Sequence, residues 1–457
     1  MSKSEYVSLT KKYKDDLLKS LSEFVSINSV YDETTKNAKN PFGVGVSKAL
    51  QYFENLAKND GFAVKNYDNM IVEAIVGSGK KNITILAHAD VVPAGTGWDN
   101  EPFAVTEVKD VLYGRGVADD KGPLLASYYA LKALKDNNLL GDYQVRFLVG
   151  GNEERGSMGV EHYFNDLKKE QPTLGFSPDS DFPLIFAEKG IINFEVKAKC
   201  KLKGLISVSG GVASNSVIDE CVVKFDYDIN VINLLRDKKN VDISTKDDII
   251  TATFKGIAAH GAVPQLGRNA GLMALKDILL LTNNQNVKKL VDRYSDVYGA
   301  GINASATSNQ MGKNSMNVGI ISYNNGKFKM IVNFRHVETV TQKTMIKKIT
   351  EANEGFTVKV TSTADLLYFD KRSPLVKTLL NAYKLETKDK NAKPLSIGGG
   401  TYAKEAKNVV AFGMEFEGED TKMHSIGENV CKNSLYKAMA IYARAIYDLG
   451  KLIGDEN

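Results

Sequence analysis

Apolar residues recur every three or four positions near 5–26, at Leu9, Tyr13, Leu17, Leu21 and Phe24, and predict an amphipathic helix. A second helix is predicted from 46 to 59, stopping before Gly61. Short β-rich runs at 70–76, 83–88 and 143–149 read as strands, with 143–149 buried. Helical spacing returns at 122–135 and 160–167, and 174–176 reads as one more strand. Strands alternating with helices predict an α/β layer around a largely parallel sheet over the first 185 residues or so.

The pattern then changes. Alternating strands are predicted at 191–197, 221–228, 249–254, 317–322, 327–333 and 357–362, interrupted by helices near 267–283 and 341–353. Helical spacing resumes at 374–386 and 432–451, on either side of the turn Gly398-Gly399-Gly400. The expected organisation is an α+β domain inserted at 188–369 into an α/β domain built from 1–187 and 370–457. Length agrees, since 457 residues exceed what one core usually supports.

Charge removes some function classes. Lys and Arg exceed Asp and Glu by 59 to 55, which gives no electrostatic reason to expect nucleic acid or an anionic membrane. No run approaches 18 apolar residues, so no membrane span is expected. Met1–Tyr6 has no apolar stretch behind its lysines, and no signal peptide is expected. Cys200, Cys221 and Cys431 lack metal-site spacing and fit reduced thiols in a cytoplasm.

The five histidines carry more information. His88-Ala89-Asp90 follows a predicted strand, where open α/β sheets form ligand sites, and Asp90 could orient the His88 ring. Gly114–Gly122 places Asp119 and Asp120 at a helix start, where acids also serve as ordinary favourable charge. Glu153-Glu154 follows the strand at 143–149; adjacent carboxylates there can divide cation binding from proton transfer. Asp179 follows the strand at 174–176, and His424 lies near the C-terminus. Singly, each is as compatible with a structural role. Together, His88, Asp119, Glu154, Asp179 and His424 form a mixed nitrogen and oxygen set suited to Zn²⁺ or a similar ion.

These motifs resemble metallopeptidase family M20, and within it the bacterial Xaa-His, carnosinase-like dipeptidases. The likeness rests on His88–Gly95, Gly114–Gly122 and Glu153-Glu154, with support from Ser177-Pro178-Asp179, Gly398–Ala403 and Val410–Gly413, and spans roughly residues 5 to 450. It implies that Asp119 bridges two divalent ions, with His88 and Asp179 on one and Glu154 and His424 on the other. Zn²⁺ is the expected ion, with Mn²⁺ or Co²⁺ as alternatives. Glu153 would be the general base and acid acting on a metal-bridging water, and Asp90 would hold His88.

The inserted domain is implied to be a lid. Its His260 would stabilise the oxyanion, and Asn215 and Arg335 would grip the substrate's C-terminal carboxylate; Gly399 would also bind substrate. His162 and His336 match nothing and read as structural or surface residues. Ile218 and Gly427 depart from the Pro and Asn of many relatives, which bears on selectivity rather than hydrolysis. The resulting expectation is a cytoplasmic, monomeric dipeptidase acting on dipeptides with a free N-terminus, without nucleic-acid or membrane partners. An N-acyl amino acid deacylase or desuccinylase is the near alternative, and a non-catalytic metal or peptide binder the distant one.

Overall fold

A computed structural model describes residues 3–454; the leader reading at Met1 and Ser2 lies outside them. The chain divides into two compact units. The first comprises the residues up to Ala187, Phe369–Leu395 and those from Gly400 onward; the second comprises Glu188–Tyr368 and Ser396–Gly399. Gly399, expected in the final segment of the α/β domain, therefore packs with the second unit.

In the first unit the main sheet runs Ala63–Tyr67, Ile71–Val76, Gln144–Gly150, Asn82–His88, Leu174–Ser177, Val409–Ala411 and Ile185–Glu188. It is mixed. The three middle pairings, from Gln144–Gly150 through Val409–Ala411, are parallel, and those at either side are antiparallel. Asn82–His88 is buried at every position, as a parallel strand covered on both faces must be. Ala63–Tyr67 alternates exposed and partly buried residues before Tyr67, which marks an edge.

Aromatic packing ties the helices to this sheet. Phe53 of the helix Val44–Asn59 meets Tyr128 of Lys121–Asp136 and Phe147 of Gln144–Gly150, with ring centroids 5.6 and 5.5 Å apart. Tyr442 of Lys432–Gly454 stacks on Phe176 at 5.5 Å. These rings bury large apolar areas and favour the edge-on and offset arrangements seen here. The N-terminal helix is broken by a 3₁₀ turn at Lys11–Tyr13 between Lys3–Thr10 and Lys14–Val25. Lys121, fully buried, donates to the carbonyls of Phe24 and Ile27 at 3.0 and 2.8 Å and joins that helix end to the start of Lys121–Asp136.

The second unit is an eight-stranded antiparallel sheet running Val241–Lys246, Ile249–Lys255, Glu220–Asp226, Leu205–Gly210, Ser315–Asn324, Lys327–His336, Gly190–Lys199 and Thr357–Ala364. Ile192, Phe194, Val196 and Ala198 point to its core at every second position. Ala270–Thr282, Gln285–Tyr294 and Gln342–Ala352 are its longer helices, each begun by an Asn or Thr side chain that accepts a backbone N–H. His336 is buried in this unit against Gly190, and His162, in the first unit, bridges Asp68 and Asp166 at the surface.

Gly122 supplies a test of how tightly the Asp119 turn is packed. An alanine in a helix normally gains about 1 kcal/mol over glycine. Here a Cβ would lie 2.0 Å from the Val117 carbonyl oxygen. Gly122→Ala is therefore expected to destabilise by about 1–3 kcal/mol, as overpacking does. Thermal unfolding checks the sign, and an unchanged or raised midpoint would contradict it.

Candidate metal centre

Parallel pairing decides which loops meet. His88 is level with Gly150 in one register and Ile85 with Phe176 in the other, so three strands release their chains at the same sheet edge. His88 ends the middle strand, Glu153 and Glu154 follow one neighbour, and Asp179 follows the other. At this edge Gly150 lets Tyr402 approach; a Cβ there would sit 2.3 Å from the Tyr402 hydroxyl. The Tyr402 ring in turn lies edge-on to His88, with centroids 5.8 Å apart.

Two triads share Asp119. His88 Nε2 lies 3.1 Å from Asp119 Oδ1 and 3.8 Å from Asp179 Oδ2. His424 Nε2 lies 2.8 Å from Asp119 Oδ2 and 3.2 Å from Glu154 Oε2. In each triad one ligand atom per residue falls within 4.8 Å of the others. The peptide bond between Asp119 and Asp120 is cis. Asp120, fully buried, accepts the His88 backbone N–H at 3.0 Å.

Asp90 holds the site differently from the sequence expectation. His88 Nδ1 meets the Asp90 main-chain oxygen at 3.0 Å, closer than the 3.5 Å to its carboxylate. That carboxylate instead accepts the backbone N–H groups of Glu153 and Glu154, both at 3.1 Å. Asp90 thus fixes the ring and the adjacent acid pair together.

The donor set fits divalent cations. Burial, aided by the charge of Asp179, holds the Glu153 carboxyl well above its ordinary range, and burial with Asp119 raises Glu154. Burial opposes ionisation of Asp119 as well, but hydrogen bonds from His424 and His88 outweigh it and hold that carboxyl low. His424 is pushed up to about 11 by its hydrogen bonds to Asp119 and Glu154. Glu154 Oε1 is buried with no hydrogen-bond partner, a costly state that coordination would relieve. Carboxylates outnumber imidazoles here, and buried charge of one sign calls for a counter-charge.

The remaining expected residues belong to the second unit. An isolated bridge pairs Ser216 with His260, and Gly261 donates its N–H to the Asn215 carbonyl at 2.7 Å, so Asn215 and His260 are neighbours. Arg335 is buried on the strand Lys327–His336, and burial pulls its guanidinium down to about 10. It donates to Asn333 Oδ1 at 2.8 Å and to the Gly398 carbonyl, and its Nη2 lies 3.4 Å from His260 Nε2. Gly399 follows Gly398 in the same unit. Arg115 and Glu428 form a fully buried pair at 2.6 Å; they lie inside the Gly114–Gly122 and His424–Glu428 segments, but sequence reasoning assigns a role to neither.

Residues 84–448 match the sequence pattern of the peptidase family M20/M25/M40. A Staphylococcus aureus (strain MRSA252) protein named "Putative dipeptidase" is 34% identical over 96% of this chain and 97% of its own. Human carnosine dipeptidase 1 shares the fold, with a TM-score of 0.59 at 14% identity over 98% of this chain and 100% of that one. So does the di-peptidase Dug1p of Saccharomyces cerevisiae, with a TM-score of 0.60 at 14% identity over 99% of both chains. Fold and site together define a metallopeptidase that uses divalent metal ions. The chain belongs to peptidase family M20.

Proposed function

We propose that this peptidase hydrolyses dipeptides with a free N-terminus, using Glu153 to move protons and His260 to stabilise the oxyanion. The observation that carries the reading is the joining of two triads at Asp119 with Glu153 beside them, its backbone fixed by Asp90. His88 and Asp179 are assigned to one ion, Glu154 and His424 to the other, and Asp119 to both. Zn²⁺ is the proposed ion, with Mn²⁺ and Co²⁺ fitting the same donors. Such ions, when bound, polarise a carbonyl and lower the pKa of water to about 7.

Glu153 takes a proton from the attacking water as its oxygen bonds to the scissile carbonyl carbon. The same proton then passes to the leaving nitrogen as the C–N bond breaks. A carboxyl that burial and Asp179 hold above its ordinary range suits this double duty, because it keeps the proton long enough to return it. His260 donates to the oxygen that becomes negative, the moment at which such a donor is worth most. Asn215, Arg335 and Gly399 are assigned to the substrate's C-terminal half. Arg335 retains N–H groups beyond those given to Asn333 and Gly398, and its planar fork matches a carboxylate. A cytoplasmic monomer completes the proposal.

Comparing kcat/KM on free dipeptides with that on N-acyl amino acids tests the substrate class. Preference for the dipeptides is expected; preference for the acylated compounds would turn the reading to a deacylase or desuccinylase. Arg335→Lys tests the carboxylate role. It is expected to raise KM about 10-fold or more, the loss of roughly one charged hydrogen bond. An unchanged KM in steady-state kinetics would remove Arg335 from substrate binding.

A further inference from the structure

The geometry assigns Glu428 as a positioning residue that ties the His424 segment to Asp119 and so sets the spacing of the second triad. We infer this from an arrangement confined to the first unit, and it rests on the reading of the two triads as metal sites. Glu428 is fully buried and belongs to neither triad. One oxygen, Oε1, accepts the backbone N–H groups of Gly116, Ala118 and Asp119 at 3.0, 2.9 and 3.2 Å. The other, Oε2, accepts from Arg115 Nη1 at 2.6 Å. Arg115 also donates through Nη2 to the Ser425 carbonyl at 3.2 Å.

The segment that carries His424 is a turn in which Ser425 donates to the Lys422 carbonyl at 2.9 Å and Asn429 to the Thr421 carbonyl at 2.8 Å. The His424 side chain is 57% exposed and its backbone is left-handed, with φ of 60°. Antiparallel pairing of Asn429–Cys431 with Val111–Tyr113 brings the two segments side by side, and Gly114 donates to the Glu428 carbonyl at 3.1 Å. Those backbone bonds set the register. The carboxylate of Glu428 then gathers the turn from Gly116 to Asp119 around one oxygen, four residues beyond His424. An anionic acceptor bonding three N–H groups holds that turn more firmly than neutral acceptors would. Outer partners of this kind govern metal affinity by about 10–100-fold.

Glu428→Gln keeps the shape but turns a donor toward Arg115. Zn²⁺ binding to metal-stripped full-length protein, followed by competition with a chromophoric chelator, measures both equivalents. In Glu428→Gln one equivalent is expected to bind at least about 10-fold more weakly. Glu428→Asp, which keeps the charge but shortens the reach, decides the matter if the Gln variant does not fold. The control is Glu386→Gln, which breaks the buried Arg444–Glu386 pair at 2.6 Å elsewhere in the unit. It is expected to lower the unfolding midpoint without changing either Zn²⁺ affinity. Two equivalents bound as tightly by a folded Glu428 variant as by wild type would overturn the positioning role. A parallel loss of affinity in Glu386→Gln would overturn it too, reducing the effect to general stability. Wild-type protein that takes up no Zn²⁺ would instead reject the metal sites themselves.

Discussion

Glu153→Gln is expected to lose about 10²–10⁴-fold in kcat while keeping both metal equivalents. Glu153 belongs to neither triad, so its replacement leaves every assigned ligand in place. Gln fills the same volume and preserves the backbone bond to Asp90 Oδ1, which comes from the Glu153 N–H and not from its side chain. What disappears is the ability to accept a proton from water and return it to the leaving nitrogen. Steady-state kinetics with metal analysis of the same sample separates the two effects. A variant that keeps its metal and its rate would favour a binding protein over a peptidase. One that loses both would make Glu153 a ligand.

Asp119→Asn should be the more damaging change to the site as a whole. Asp119 offers one oxygen to the His88 triad and the other to the His424 triad, so a single substitution reaches both. An amide has one oxygen to coordinate with and presents N–H groups on its other side. Metal uptake is expected to fall to one equivalent or less, and hydrolysis to background. The metal-free variant should also lose about 1 kcal/mol, since the fully buried His88 then meets a neutral amide in place of a carboxylate. Elemental analysis and thermal unfolding report these separately. Two tightly held metal ions in Asp119→Asn would remove it from the bridging position.

The strands that build the site were legible because their chemistry is extreme. Asn82–His88 carries Ile83, Ile85, Leu86 and Ala87 and is buried along its whole length, as a central strand is. Once it is placed, His88 at its end and the acids after its neighbours follow from the rule for open sheets. The helix Gln285–Tyr294 was not legible. Its sequence is mostly polar and only Val287, Leu290 and Tyr294 are buried, so the apolar stripe is too thin to stand out. Its true marker is the Asn284 cap, which accepts from Asn286 and Val287. The edge strand Ala63–Tyr67 was lost for a related reason: exposed Lys65 and partly buried Asn66 obscure a short alternation.

Within the site, the residues that come together were readable and their supports were not. Asp90 looked like a partner for the His88 ring, which it is mainly through a main-chain oxygen, and any residue type could supply that. Its carboxylate serves the Glu153-Glu154 backbone instead, a bond between segments more than sixty residues apart. Arg115 and Glu428 are separated by 313 positions and meet beside the pairing of Asn429–Cys431 with Val111–Tyr113. No periodicity carries such a pairing.

The most direct measurement is hydrolysis of a panel of unblocked dipeptides, a β-alanyl dipeptide among them, by metal-stripped protein before and after Zn²⁺ or Mn²⁺ is restored. The prediction is no cleavage without metal and release of both free amino acids once it returns. Absence of cleavage of every dipeptide by protein shown to hold its metal ions would contradict the dipeptidase assignment.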